Sequence, residues 1–186
     1  MSQKNRALLF DLIFFMIIVV LGEFINSRAL SDFYSGYYFS VTLIVSFIMI
    51  FRWGAYGIPF AMLSGLVTYL FMGETHLETA LIYIFGNMGI VSSYLFLKWQ
   101  TTDEVKQQTG LCLPFVLSGY MTIVVLRGVI MALLGEDLLS ACFLVLSNEM
   151  LNIIAVTLFV TLLMKQKSIM IHLKALYEQE EVKDEH

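Results

Sequence analysis

The stretch FRWGAYGIPFAMLSGLVTYLFMG, residues 51–73, ends one apolar run of the chain and begins the next. Only a short RWG segment separates the run over 37–53 from the run over 55–73. A helix rises 1.5 Å per residue, so about 20 apolar residues cross the roughly 30 Å hydrocarbon core of a bilayer. The stretch therefore predicts a tight hairpin of two apolar helices.

Apolar runs of similar length fill most of the chain, which has 186 residues, 59% hydrophobic and 14% charged, with a mean hydropathy of +0.80. A soluble domain of this size needs far less apolar surface. Long continuous runs favour helices over the short alternating strands of a barrel. We therefore predict an all-α integral membrane protein with six transmembrane helices in a single domain, residues 1–186, ending in a cytoplasmic tail, 165–186. The predicted spans are 7–25, 37–53, 55–73, 77–98, 111–135 and 139–164.

Basic residues are distributed unevenly between the predicted loops. If the N-terminus is inside, the outer loops contain only Arg28, and Arg127 lies within a span. Cytoplasmic loops carry the excess of Lys and Arg, so this asymmetry predicts that both termini are cytoplasmic. The inner basic residues are Lys4, Arg6, Arg52, Lys98, Lys106, Lys165, Lys167, Lys174 and Lys183.

The sixth predicted span contains the segment LVLSNEMLNII, in which Asn148, Glu149 and Asn152 interrupt an otherwise apolar run. A charged side chain at the centre of a membrane helix costs at least about 2.5–3.5 kcal/mol on insertion scales. Residues three or four apart share a helix face, so parts of this trio point the same way. Such a cluster needs compensating partners.

Polar groups on two other spans occur at a similar depth. Counted from the outer helix ends, Asn87 and Glu149 lie about 15 Å deep and Arg127 about 12 Å deep. Tyr83 precedes Asn87 by one turn, on roughly the same face, where its ring is able to stack on a flat ligand. Three helices are therefore expected to direct strong polar groups to one level of the bundle.

Two interpretations of this cluster stay open. Arg127 and Glu149 pair with each other and, with the asparagines, hold three helices in register, as polar residues do in membrane bundles. Alternatively, the same groups line a substrate pocket in the outer half of the protein.

The segment GETHLET between the third and fourth spans contains Glu74, His76 and Glu78. Its spacing lacks a third strong type of metal ligand, so a solvated helix cap is expected and no metal site is predicted.

Catalytic and nucleic-acid signatures are absent from the sequence. It contains no Walker phosphate loop, no G-x-S-x-G elbow, no H-E-x-x-H and no CxxC. An acidic chain without a basic face does not indicate nucleic-acid binding. We predict neither an enzyme nor a resident cofactor.

The layout resembles the substrate-binding S components of energy-coupling factor (ECF) vitamin transporters. The resemblance rests on a second span that ends in a basic residue and turns at once into a glycine-rich third, on the outer ETHLET loop, on a fourth span closing with FLKW, and on a sixth span bearing LSNEMLN. It covers nearly the whole chain as a match of architecture.

The resemblance implies uptake of a small water-soluble vitamin or related compound across a bacterial cytoplasmic membrane. The implied partners are this substrate, the lipid bilayer, a transmembrane coupling subunit and two cytoplasmic ATPases. It implies that the substrate contacts Tyr83, Asn87, Arg127, Asn148, Glu149 and Asn152. Glu74 and His76, with the first outer loop NSRALSDFYSGYY, would act as lids.

Docking to the coupling subunit in that family often uses an alanine-x-x-x-alanine pattern on the first helix, whereas LLFDLIFFMIIVVLGEF contains no Ala. Gly57, Ala61 and Gly65 supply an alternative small-residue face at helical spacing. The main rival is a non-catalytic scaffold such as the MreD-like proteins of the cell-shape machinery, which predicts a closed Arg127–Glu149 pair and no outward pocket.

Overall fold

A computed structural model of the chain describes residues 3–30, 41–73, 76–166, 169 and 171–177. Regular secondary structure in these residues is helical, and no strand occurs among them. The predicted all-helical class is therefore confirmed for this part of the chain. The helices are α1 (Gln3–Ile25), α2 (Val41–Trp53), α3 (Gly57–Met72), α4 (Leu77–Gly86), α5 (Val91–Trp99), α6 (Thr102–Gln107), α7 (Thr109–Leu133) and α8 (Leu138–Met164).

Five helical segments of the described chain are long and apolar enough to cross a membrane. They are Gln3–Arg28, Val41–Met72, Leu77–Trp99, Gly110–Leu133 and Leu138–Met164. The membrane-type character of the sequence is therefore retained in the fold. Six crossings and the orientation of the termini stay predictions, since α2 and α3 form a single helical segment by this criterion.

The segment that contains α2 and α3 folds back on itself. A 3₁₀ turn begins at Gly54, whose φ of 60° suits glycine because a Cβ is unfavourable there. Thr42 Oγ1 lies 2.7 Å from Thr68 Oγ1, and Ser46 Oγ lies 3.2 Å from Ser64 Oγ. Because the partners pair in reverse order, α2 and α3 are antiparallel arms of a hairpin.

Helix α2 lies at the centre of the bundle and α1 lies at its edge. Nearly every residue of α2 is buried, which is unusual for a membrane-facing helix. Helix α1 buries only a stripe of residues spaced four apart, namely Asp11, Phe15, Val19 and Glu23. Both ends of that stripe are acidic, so the contacts of α1 with the bundle combine a narrow apolar strip with two polar attachments.

The small residues of α3 pack against neighbouring helices. A Cβ on Gly57 would lie 2.6 Å from the backbone nitrogen of Ile50, and one on Gly65 would lie 2.4 Å from the carbonyl oxygen of Tyr83. Ala61 is fully buried. Gly57, Ala61 and Gly65, the three residues predicted to form a docking face, therefore pack against other helices of the bundle and are not exposed.

A polar cluster ties α1, α2 and the C-terminal segment together. Asp11 Oδ2 accepts hydrogen bonds from Arg52 Nε at 2.8 Å and from Trp53 Nε1 at 2.7 Å. Arg52 Nη1 also donates to the carbonyl oxygen of Ile169 at 2.6 Å, and the Trp53 ring stacks on Tyr177. We call this end of the bundle the Arg52 end, and the opposite end, where the second acidic residue of α1 lies, the Glu23 end.

Trp53→Phe is expected to destabilise the protein by about 1.5 kcal/mol, because it removes a hydrogen bond to a buried carboxylate while keeping an aromatic ring. Trp99→Phe is the matched control, since Trp99 is 82% exposed and Trp53 is 0% exposed. Thermal unfolding of the detergent-solubilised proteins measures the difference. Equal unfolding temperatures for the two variants would contradict this account of the cluster.

Side chains cap two helices outside the long apolar segments. Thr101 and Glu104 form a reciprocal capping box at the start of α6, a helix that lies in the predicted inner loop. Asp137 accepts hydrogen bonds of 2.9 Å from Ser140 N and Ser140 Oγ at the start of α8. Hydrogen bonds with the backbone and the hydroxyl of Thr101 lower the pKa of Glu104. Hydrogen bonds with the backbone and the hydroxyl of Ser140 lower the pKa of Asp137 in the same way. These caps define where α6 and α8 begin.

Candidate functional site

The candidate site lies between α7 and α8, which approach each other closely. A Cβ on Gly128 would lie 2.2 Å from Cys142 Sγ and 3.1 Å from its backbone nitrogen, so a larger residue at this crossing would force Cys142 to shift. One residue before the glycine, Arg127 Nη1 donates to Glu149 Oε1 at 2.5 Å. Arg127 is 4% exposed and Glu149 is 9% exposed. The first interpretation of the sequence, a direct ion pair, describes this contact.

Further donors complete the surroundings of Glu149. Tyr120 Oη donates to Glu149 Oε2 at 2.7 Å, and Asn152 Nδ2 donates to the same oxygen at 2.9 Å. Burying a carboxylate is tolerable only when it is paired and hydrogen-bonded. With Arg127 on the other oxygen, this carboxylate meets that condition.

The guanidinium of Arg127 has contacts on its edge and its face. Nη2 donates to Asn87 Oδ1 at 2.8 Å, and the guanidinium carbon lies 4.6 Å from the centroid of the Tyr83 ring. This is cation–π geometry. One face of the Tyr83 ring is therefore occupied by Arg127 and is not open to stack on a ligand. Arg127 Nε is buried without an acceptor among the described residues.

Asn87 is held in position by a local change in the helix and by small neighbours. It begins a 3₁₀ turn, Asn87–Ile90, that joins α4 to α5. A short 3₁₀ stretch within a longer helical segment often marks a functional position. Asn87 Nδ2 donates to the carbonyl oxygen of Ala61 at 3.1 Å, and a Cβ on Gly86 would lie 2.3 Å from Arg127 Cγ. The glycine next to Asn87 thus makes room for the arginine.

A cavity of about 160 Å³ borders the ion pair. Its lining residues are Ile82, Tyr83, Arg127, Met131, Leu144, Val145, Asn148 and Glu149. Asn148, one of the six predicted contact residues, also lines the cavity, but its side chain is exposed and lies outside the buried cluster. The other five predicted residues, Tyr83, Asn87, Arg127, Glu149 and Asn152, meet in the contact network described above.

The predicted lids are only partly within the described structure. Glu74 and residues 31–38 of the first outer loop lie outside the described residues. His76 is exposed and directly precedes α4. Among the described residues, no group of three or more His, Cys, Asp and Glu side chains is arranged to hold a metal ion.

Besides Glu149 and Asp11, a third buried carboxylate lies at the Glu23 end, and it is not among the predicted site residues. Glu23 is 0% exposed, and its Oε1 accepts hydrogen bonds from Thr42 Oγ1 at 2.7 Å and from Thr42 N at 3.2 Å. Thr42 lies in the first turn of α2, where an acidic group is favoured by the helix dipole. The sequence signal for Glu23 was its position inside the predicted span 7–25, because a carboxylate within an apolar span needs a partner.

Hydrogen bonds connect the Glu23 carboxylate to the site through α3. Thr42 contacts Thr68, whose hydroxyl donates to the carbonyl oxygen of Ser64 at 3.2 Å. The hydroxyl of Ser64 donates to the carbonyl oxygen of Ala61 at 2.9 Å, and Asn87 donates to that same oxygen. Hydroxyl residues four positions apart occur on both arms of the hairpin, and this spacing is visible in the sequence. They are Thr42 and Ser46 on α2 and Ser64 and Thr68 on α3. The polar network thus reaches from α1 to α8.

Two larger cavities lie away from the ion pair. One of about 380 Å³ opens at the Arg52 end, where its charged lining includes both Lys106 and Asp103. The other, about 450 Å³, is a wholly apolar groove between α1 and α3. Volume alone favours these two, but polar groups buried within apolar spans are the ones that mark function in membrane proteins. We therefore take the smaller cavity as the candidate site.

The site combines a guanidinium, a carboxylate, amides and phenols, which are groups that form hydrogen bonds and ion pairs. Glu149 lies near the middle of α8, and Arg127 lies six residues before the C-terminal end of α7. A scan against protein-family models and searches of curated proteins and of solved structures found no match to this chain.

Proposed function

We propose that this protein is a membrane-embedded binding subunit that captures a small polar compound beside the Arg127–Glu149 pair. The observation that supports this most directly is the cavity at the pair, which Asn148 and Tyr83 also line. Ligand sites typically combine apolar walls with a few polar groups that converge on one point. Pairing Arg127 with Glu149 does not by itself require a cavity lined by further polar groups.

The proposed topology has six crossings, with both termini in the cytoplasm of a bacterium. The hairpin of α2 and α3 supports the sixth crossing, because each arm runs in the opposite direction to the other. The concentration of Lys and Arg near the Arg52 end supports its assignment to the inside. The Glu23 end then faces outward, and the site is reached from the outer half of the bundle.

The proposed role in uptake is that of an S component of an ECF-type importer, which takes up a vitamin or related compound with a coupling subunit and two ATPases. This part rests on the resemblance in architecture. The inward packing of Gly57, Ala61 and Gly65 means that docking through them requires α3 to separate from α2 or α4. A coupling subunit would otherwise contact a different face of the bundle.

A second candidate function is supported by the closed ion pair. An MreD-like scaffold needs no ligand, and direct contact between Arg127 and Glu149, with Tyr120, Asn87 and Asn152 around them, is the arrangement expected for helix packing. The scaffold predicts that the cavity beside the pair is incidental. The two proposals therefore differ in whether that cavity is occupied.

Native mass spectrometry of the protein purified in mild detergent from its own host tests the two proposals. We expect a stoichiometric small molecule to co-purify with the natural protein and to be lost from a Val145→Phe variant, which fills the cavity. Leu158→Phe is the matched control, because Leu158 is exposed on the same helix, several turns away. Recovery of an empty protein with other membrane proteins and no ATPase would favour the scaffold.

A further inference from the structure

We infer that the cavity beside Arg127 accepts a compact, uncharged compound that presents hydrogen-bond acceptors and an apolar surface. This inference rests on the proposed binding function and specifies the chemistry of its ligand. It excludes charged vitamins, which the proposed binding function alone would also allow.

The size of the cavity limits the ligand. Its volume of about 160 Å³ lies below the roughly 300–1,000 Å³ of typical small-molecule sites. The surrounding helices are already closely packed, since a Cβ on Gly86 would lie 2.3 Å from Arg127 Cγ and one on Gly128 would lie 2.2 Å from Cys142 Sγ. A compact compound is therefore favoured over one with an extended tail.

The charges that line the cavity already balance. Arg127 and Glu149 contribute one positive and one negative charge in direct contact, and the other described lining residues are uncharged at neutral pH. A ligand with a net charge would place a third charge in a site of low dielectric constant without a counterion. Such burial is costly, because an unpaired charge loses its hydration. An uncharged ligand avoids this cost.

The balance of donors and acceptors favours a ligand that accepts hydrogen bonds. Glu149 already accepts from Arg127, Tyr120 and Asn152. Arg127 lines the cavity, and its contacts with Glu149 and Asn87 use only two of the five N–H donors of a guanidinium. The exposed amide of Asn148 offers further donors at the same cavity. A carbonyl or hydroxyl oxygen on the ligand meets these unmatched donors.

The remaining lining is apolar and favours a ligand with one hydrophobic side. The apolar lining residues are Ile82, Met131, Leu144 and Val145. A small ring that bears a single amide or hydroxyl group combines this apolar side with an acceptor. Benzamide, benzoate and benzylammonium are suitable probes, because they have nearly the same shape and carry charges of 0, −1 and +1.

Binding of the three probes to the full-length protein in lipid nanodiscs is measured by saturation-transfer NMR with titration. We expect benzamide to bind at least about tenfold more tightly than either charged probe, because burial of an unpaired charge is costly. Val145→Phe should abolish this binding, and Leu158→Phe should leave it unchanged. Leu144→Trp, at an exposed lining position, is a second cavity-filling variant in case the buried substitution prevents folding.

The outcomes separate this inference from the proposed function. If benzoate or benzylammonium binds as tightly as benzamide, and cavity-filling variants abolish that binding, the cavity is a ligand site but the inferred preference for an uncharged ligand is wrong. If no probe binds, or if binding survives in both cavity-filling variants, this inference fails. An empty protein in native mass spectrometry would then overturn the binding function as well.

Discussion

Arg127→Met is expected to destabilise the folded protein by about 3–5 kcal/mol, because it leaves Glu149 buried without its cation. The remaining donors, Tyr120 and Asn152, hydrogen-bond to the carboxylate but do not neutralise it. Reversible unfolding in mixed micelles measures the change. Lys165→Met is the matched control, since this basic residue is exposed beyond the end of α8, and it should alter stability little.

A double-mutant cycle with Glu149→Gln isolates the interaction between the two charges. Each single variant leaves one buried charge unpaired, whereas Arg127→Met combined with Glu149→Gln leaves none. The double variant should therefore be more stable than the sum of the two single losses predicts. Strict additivity of the two changes would show that the charges do not interact in the folded protein.

The same cycle separates the two candidate functions when ligand binding is measured alongside stability. A binding subunit predicts that the double variant regains its fold and still fails to capture a compound, because Arg127 and Glu149 line the cavity. A scaffold predicts that recovery of the fold restores all activity. Restored compound capture in the refolded double variant would contradict the proposed role of the pair.

Gly89→Leu is expected to destabilise the protein by about 3 kcal/mol or more, because it overpacks the contact of the 3₁₀ turn with α7. A Cβ at Gly89 would lie 2.4 Å from the backbone nitrogen of Ile123 and 2.6 Å from its Cα. These atoms belong to the backbone of a helix, so they cannot move aside as a flexible side chain can. Thermal unfolding in detergent measures the effect.

Gly110→Leu is the control for this substitution. No heavy atom lies within 4 Å of a Cβ at Gly110, and the side chain gains helix propensity there. Gly110→Leu is therefore expected to leave the unfolding temperature unchanged or to raise it. An equal loss of stability in the two variants would show that the effect comes from leucine itself and not from the contact with Ile123.

Counting helical residues from the ends of the apolar runs predicted much of the candidate site. Asn87, Arg127 and Glu149 were expected at a common depth, and they form one hydrogen-bonded cluster. This worked because the rise of a helix is constant and a buried charge requires a partner at its own level. The boundaries of α7 and α8 also follow the apolar runs to within about two residues.

Neither the depth of a residue along its helix nor its spacing determines its contacts, as Tyr120 and the glycines of α3 show. Tyr120 lies two turns before Arg127 and yet donates to the same Glu149. Gly57 and Gly65 have the spacing of an exposed docking face but pack inside the bundle. In a membrane both lipid and neighbouring helices are apolar, so a helix lacks the polar face that marks the exterior of a soluble protein.

The sequence by itself determined the all-helical class, the apolar character typical of membrane-spanning helices, the extent of the long helices and the level at which strong polar groups gather. Each depends on local chemistry and on the constant geometry of a helix. Only the tertiary structure decided that Arg127 contacts Glu149 directly, that Asn87 links them to α3, and that a cavity remains beside the pair. These features depend on how each helix is rotated and how closely it approaches its neighbours, and that is determined by packing between residues distant in the chain.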